Sequence, residues 1–242
     1  MEKEHPKSVA VMQPYIFPYI GYFQLIYAVD EFVFYDDVNF VKQGWINRNQ
    51  ILDTNGTNMF TIPLKKISSF KLINEVEINT ALYNKWFKKF TKSIEQIYLK
   101  APYYKDVFPV IFNTLSNRKT DLISDLAIDS IKNIADYLDL DVNFHTSSDT
   151  FSETQNSDRT VRLIKICQIL NANRYINAQG GKELYEQNDF KKQNIDLLFL
   201  NAQTKSYQQF VEKFESNLSI IDVLMFNSKE DTLKLLNNYK LQ

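Results

Sequence analysis

Cysteine occurs once in the 242 residues, as Cys167. That excludes intrachain disulfides and a zinc site built on cysteines, and it fits a reducing compartment. Histidine occurs twice. His5 sits near the N-terminus and His145 in an expected strand, and neither has a visible partner, which argues against a Ser-His-Asp or Cys-His system. Neither sign of charge is in excess: 28 basic and 29 acidic residues leave a net charge of -1, with no electrostatic footprint for a nucleic-acid backbone. No apolar run approaches the roughly 18 residues of a membrane span, and the start, MEKEHPK, carries no apolar signal segment. Repeats and low-complexity linkers are missing as well. These absences lead to the expectation of a soluble cytoplasmic protein that has no nucleic-acid partner and no membrane span.

What is present alternates. With 44% hydrophobic residues the chain can bury a sizeable core, and the reading is one α/β domain over residues 1–242. SVAVMQ (8–13) is a short apolar run, GYFQLIYAVD (21–30) has helical spacing, and EFVFYDD (31–37) reads as a buried strand with a polar carboxyl end. This is a βαβ opening. TNMFTIPL (57–64) reads as a further strand, demoted to an edge or a terminus by Pro63. A helical insertion follows over about 80–140, where Trp86, Phe90, Ile94 and Ile97 form one stripe. Helices over 106–115 and 121–138 complete it. Strands are then expected at 142–147, 174–178 and 195–200, with helices starting near Asp158, near Lys182 and after Ser219. Ser157 or Asp158 caps the first of these, and Asn227 or Ser228 a later one. The fold class expected is α/β and Rossmann-like, a mostly parallel sheet with helices on both faces; α+β is the alternative.

In such a sheet, ligands bind beyond the carboxyl ends of the strands. The loop QPYIFPYIGY (13–22) leaves the first strand, and Asp36-Asp37 leaves the second. Gln13 can donate and accept hydrogen bonds, while Tyr15, Tyr19 and Tyr22 offer faces for a sugar or nucleobase; equally, these aromatics can lid the core. A desolvated Asp36 or Asp37 could take a proton from an attacking amine or hydroxyl. Successive strand residues point to opposite faces, so one of the two is expected in the cleft. Two adjacent carboxylates without a nearby histidine are a thin metal site, and none is expected. GWINRN (44–49) adds Trp45 for stacking, Arg48 for a phosphate or carboxylate, and Asn47 and Asn49 for hydroxyls. A structural bridge from Arg48 to Asp36 or Asp37 is the competing reading. Arg159 at a helix start suits an anion. Gly180 and Gly181 permit backbone contact with phosphate, and Tyr185 follows within reach of the same cleft. TSSDTFSETQNS (146–157) reads as a mobile loop over the cleft, and Cys167, between Ile166 and Ile169, as a buried inert thiol.

The run QPYIFPYIGYFQLI, then DEFVFYDDV, then GWINRN, in that order and spacing, resembles the WbqC-like family of bacterial proteins. The resemblance continues through YLKAPYY, NAQGGKELY and SIIDVLMFNS. It implies a place in bacterial surface polysaccharide biosynthesis, O-antigen in particular, and a sugar-modifying transferase. The reaction read from the convergence of carboxylate, arginine and aromatics near one switch point is transfer of an acyl or aminoacyl group to a nucleotide-linked amino sugar. The donor would be a thioester on an acyl-carrier-type protein, with no resident cofactor. The opening is also similar to that of adenylyl- and cytidylyltransferases, but Tyr19-Ile20-Gly21-Tyr22 stands where those enzymes carry paired histidines. Nucleotidyl transfer is therefore the third reading, after the transferase and a non-catalytic sugar-nucleotide or saccharide-binding accessory protein.

Overall fold

The computed structural model describes residues 6–53 and 56–242; His5 lies outside them. The first apolar run is strand β1 (Ser8–Met12) and the second β2 (Glu31–Phe34), joined by helix α1 (Ile20–Tyr27). A separate antiparallel hairpin follows, β3 (Arg48–Asp53) with β4 (Gly56–Thr61). β4 stops before Pro63, which lacks the N–H that a ladder needs.

Three helices form the insertion: α2 (Thr80–Tyr98), α3 (Tyr104–Ser116) and α4 (Ile123–Tyr137). Phe90 and Ile94 of the α2 stripe are buried, with Trp86 stacked on Phe90 at 5.1 Å between ring centroids. Strand β5 (Asn143–Thr146) then leads into a helical turn, α5 (Ser147–Thr150), and into α6 (Arg159–Ile169), capped by Asp158, which accepts from the Thr160 N–H. After β6 (Arg174–Ala178) the chain forms a 3-10 turn over Gln179–Leu184 and a short α7 (Gln187–Lys191), where one helix from Lys182 was expected. β7 (Asp196–Ala202), α8 (Ile220–Phe226), α9 (Lys229–Leu236) and β8 (Tyr239–Leu241) close the chain. Ser219 and Ser228 cap the two helices.

The sheet runs β5-β2-β1-β6-β7-β8, parallel except for β8. Period-two alternation sorts its side chains. Ala10, Phe32, Phe34, Ile176 and Leu200 face one core, under α1, α4, α8 and α9. Val9, Val11, Val33, Tyr175 and Phe199 face the other, under α6 and α7. Burial on both faces is why these strands read as nearly continuous apolar runs. A fully buried phenylalanine such as Phe32 or Phe34 contributes about 2 to 3 kcal/mol. No helix among the described residues is long and apolar enough to cross a membrane.

Candidate functional site

The chain leaves β1 for β2 on one side and later returns to β6 on the other. At such a reversal the connecting loops diverge, and a crevice opens past the carboxyl ends of the strands. A cleft of about 750 Å³ lies there, lined by Gln13 and Tyr15 after β1, Asp37 after β2, Arg159 and Arg162 of α6, and the backbone of Gly180 and Gly181 after β6. Tyr185 lines it too. A second cleft of about 470 Å³ adjoins it and shares Met12, Tyr15, Ala178 and Gly180. Its own walls are Tyr19, Tyr22, Trp45 and Asn49. The site therefore has a polar half and an aromatic half. Another hollow of about 600 Å³, by Leu52, Gln96 and Phe210, lies away from these strand ends and has no cation in its lining.

The loop after β1 is held hard. A residue before proline avoids the right-handed helical region, and Phe17, before Pro18, takes a left-handed φ of 42°. That conformation costs about 1 to 2 kcal/mol in a non-glycine residue. Complete burial of its ring offsets the cost. So do its backbone bonds: the Phe17 N–H donates to Ser130 Oγ at 3.0 Å, and its carbonyl accepts from Asn49 Nδ2 at 2.6 Å and from the Ser219 hydroxyl at 2.7 Å. The Ile16 N–H also donates to the Ile46 carbonyl at 3.1 Å, which ties the loop to GWINRN. Ile16, Phe17 and Ile20 face the core, leaving Gln13, Tyr15 and Tyr19 to the cleft. Tyr22 forms the floor, its hydroxyl donating to the Gln13 carbonyl at 2.9 Å. Gly21 permits the Tyr19 ring to lie against the start of α1, where a Cβ would collide with it.

Asp36 and Asp37 are both buried and share the Ser147 hydroxyl, which lies 3.0 Å from an Asp36 oxygen, but only one of them reaches the cleft. Asp36 accepts from the Ser148 N–H at 3.0 Å and the Ser148 hydroxyl at 2.6 Å, and it does not line the cleft. Asp37 does. It accepts from the Ser147 hydroxyl and from Arg162 Nη2, both at 2.5 Å, and it is the one carboxylate among the residues lining the two halves. Arg162 is itself buried, donates through Nε to Thr154 Oγ1 at 3.0 Å, and lies 4.7 Å over the Tyr35 ring. Burial weakens its hold on its proton, but Asp37 and Tyr35 beside it together more than compensate, so the guanidinium stays charged. Burial pushes the phenols of Tyr15, Tyr19, Tyr22, Tyr35 and Tyr185 above their ordinary value, so at neutral pH they are hydrogen-bonding groups and not bases.

Several expected site residues lie elsewhere. Asn47 is buried and donates to the Ile62 carbonyl at 2.9 Å. Arg48 turns back on its own turn, donating to the carbonyls of Gln43 and Gly44, with Trp45 at 5.8 Å. It bridges neither aspartate; Arg162 takes Asp37 instead. The serine-rich stretch forms α5 and a 3-10 turn over Ser152–Thr154, with Ser147, Phe151 and Thr154 buried, because its hydroxyls are the donors that the aspartates require. His145 has a partner: its Nε2 lies 2.7 Å from Glu31. Cys167 is buried, and its thiol is pushed up to about 12 by that burial. Reasoning from sequence missed Arg162, Ser147 and Tyr35. One signal could have found the first: Arg162 sits one turn after Arg159, on the side of α6 that faces the strand ends. Gly181 is a close approach, since a Cβ there would come within 2.5 Å of the Asn177 amide, while Gly180 faces open space.

An uncharacterized protein, Rv1507c, of Mycobacterium tuberculosis (strain ATCC 25618 / H37Rv) is 27% identical over 223 residues, covering 91% of this chain and 94% of that protein. No solved structure matches the chain. The WbqC-like protein family matches residues 13–234, from the cleft glutamine after β1 to the middle of α9, so every cleft element after β1 falls within the match and the chain belongs to that family.

Proposed function

We propose that the chain is a transferase that moves an acyl or aminoacyl group to the amine of a nucleotide-linked sugar during assembly of a surface polysaccharide such as O-antigen. Membership of the WbqC-like family suggests a role in polysaccharide biosynthesis. The observation that carries the reaction is the joining of two unlike half-clefts: one with arginine, open glycine backbone and a single carboxylate, the other walled by tyrosine and tryptophan. In this reading a diphosphate sits by Arg159 and Gly180–Gly181, where charge and N–H groups serve the same oxygens. A base or sugar ring stacks on Tyr15, Tyr19 or Trp45. Asp37 takes a proton from the sugar amine as nitrogen bonds to the carbonyl carbon of a carrier-bound thioester. The C–S bond breaks, and the proton passes to the departing thiolate.

A second reading, a non-catalytic sugar-nucleotide or saccharide-binding accessory protein, is favoured by one feature. Both oxygens of Asp37 already accept hydrogen bonds, which suits a fixed acceptor for sugar hydroxyls as well as it suits a base. Thermal-shift screening against uridine, thymidine, cytidine and guanosine diphosphate sugars, then mass spectrometry with thioester donors, separates the two. A ligand at about 100 times its Kd adds about 2.7 kcal/mol of stability, enough to read. A mass gain on the sugar supports the transferase; binding without turnover on any donor supports the accessory protein; no stabilisation by any nucleotide sugar overturns the transferase and the sugar-nucleotide form of the accessory protein. Trp45→Ala should weaken the binding found by about 1 to 3 kcal/mol, the worth of one stacking face.

A further inference from the structure

Two loops build one lip at the mouth of the cleft. Residues 38–40 run antiparallel to 71–73, with the Ile73 N–H donating to the Val38 carbonyl at 2.9 Å and the Phe40 N–H to the Lys71 carbonyl at 2.8 Å. Asn39 and Leu72, the pair between these bonds, both line the polar half. Beyond the pairing each chain turns outward. One turn closes from the Gly44 N–H to the Val41 carbonyl at 3.0 Å, with Gln43 at a φ of 61°; the other closes from the Lys71 N–H to the Ser68 carbonyl at 3.3 Å. The tips are apolar and uncovered: Val41 is 50% exposed, Ile67 43% and Phe70 93%. Trp45, at the root of the first turn, is 43% exposed and belongs also to the aromatic half.

The lip is basic in a chain of net charge -1. The stretches 38–49 and 62–74 hold Lys42, Arg48, Lys65, Lys66 and Lys71 and no acidic residue. Glu77 takes Lys65 at 2.7 Å, and Arg48 is spent on carbonyls of its own turn. Glu75, at the base of the lip, accepts from the Leu72 N–H at 2.9 Å. Among the described residues Lys42, Lys66 and Lys71 form no ion pair and flank the apolar tips; Lys71 is half-buried, its Nζ 3.5 Å from the Glu75 carbonyl and its charge felt by Glu77.

We propose that this lip docks on an anionic lipid surface, with Phe70, Ile67 and Val41 entering the interface and Lys42, Lys66 and Lys71 meeting the headgroups. Apolar tips ringed by lysines are what an interfacial anchor needs, since tips reach the roughly 5 to 10 Å depth of the acyl boundary and cations answer the charge of the leaflet. Two turns are a poor match for a protein partner, because a stable interface covers about 800 Å² on each side. Docked in this way, the lip sets the cleft mouth against the lipid surface. Docking through this surface does not depend on the reaction assigned to the cleft.

The test is co-sedimentation of the full chain with phosphatidylcholine vesicles, with and without phosphatidylglycerol, at low and high salt. Binding is expected only with phosphatidylglycerol and is reversed by salt. The triple variant Lys42→Gln, Lys66→Gln, Lys71→Gln should weaken it on the order of 100-fold, taking about a fivefold factor for each lysine at the surface. Phe70→Ser with Ile67→Ser should weaken it about tenfold or more. Lys42, Lys66, Ile67 and Phe70 are exposed and Lys71 is half-buried, and an unchanged melting temperature certifies that each variant is folded. In a Trp86→Phe background Trp45 is the remaining tryptophan, and its emission should shift to the blue on anionic vesicles. Equal binding to both vesicle types, binding unaltered in the variants, or no vesicle binding at all would each overturn the proposal. So would capture of an acidic acyl carrier protein through the same lysines in place of vesicle binding, which would make the lip a protein-docking surface.

Discussion

Asp37 and Asp222 are two buried carboxylates that meet opposite surroundings. Asp37, at the wall of the cleft, faces a guanidinium and a serine hydroxyl. Asp222, fully buried near the start of α8, faces three uncharged donors: the hydroxyls of Tyr98 at 2.9 Å and Tyr207 at 2.7 Å, and the Gln209 amide at 2.7 Å. Removing a carboxylate from water costs several kcal/mol. A cation can offset that cost through opposite charge; neutral donors offset only part of it. Burial accordingly raises the proton affinity of Asp222, and the bonds from Tyr207, Gln209 and Tyr98 recover only some of the loss. The first carboxylate is set for a site that must hold charge beside solvent. The second is a knot that ties α8, α2 and, through the Leu52 N–H donating to Tyr98 Oη at 3.0 Å, the hairpin.

The largest effect expected is at the charged pair. Arg162→Met leaves Asp37 buried without its cation and should cost about 3 to 5 kcal/mol in a denaturant titration. Asp37→Asn should cost less, about 2 to 3 kcal/mol, because Arg162 keeps Thr154 and the face of Tyr35. If Asp37 is the base, the same change lowers turnover by roughly 10²- to 10⁴-fold while the ligand still binds. A tolerated Arg162→Met would erase the distinction between the two carboxylates. At the neutral knot the losses are smaller. Tyr207→Phe removes one donor of three and should cost about 1 kcal/mol, and Tyr98→Phe somewhat more, since Leu52 loses its acceptor as well. Equal losses at Arg162 and Tyr207 would mean that the cation adds nothing.

The contrast also explains what could be read from the sequence. β1, α1 and β2 are legible because strands buried on both faces leave short apolar runs, and the reversal of strand order then locates the cleft. β8 is three residues on an edge and leaves no period to detect. Arg162 looks like any polar residue of an amphipathic helix, and its partner stands 125 positions earlier. Asn47 and Arg48 show the converse. Amide and guanidinium N–H groups serve ligand oxygens and backbone carbonyls equally well, and only the folded chain decides which acceptor is in reach. Asp222 gave no sign at all, because its donors come from α2 and from the loop before α8.

The finest separation of the two carboxylates is by pH. Asp222 binds its proton more tightly in the folded chain than in the unfolded one, where its value is near 3.8. The stability this contributes is therefore whole below the unfolded value and is lost as the pH rises through the raised folded value. Asparagine is nearly isosteric and does not titrate. Its carbonyl can still accept from Tyr207 and Gln209, so Asp222→Asn should stay within about 1 kcal/mol of the parent chain at neutral pH. The difference between the two should then move in the variant's favour as the pH is raised from about 3.8 through the acidic range, read from paired melting curves. Movement in the other direction, with the parent chain gaining on the asparagine variant as the pH rises, would show that three neutral donors hold a charged carboxylate as firmly as an arginine does, and that Asp222 and Asp37 are the same kind of site.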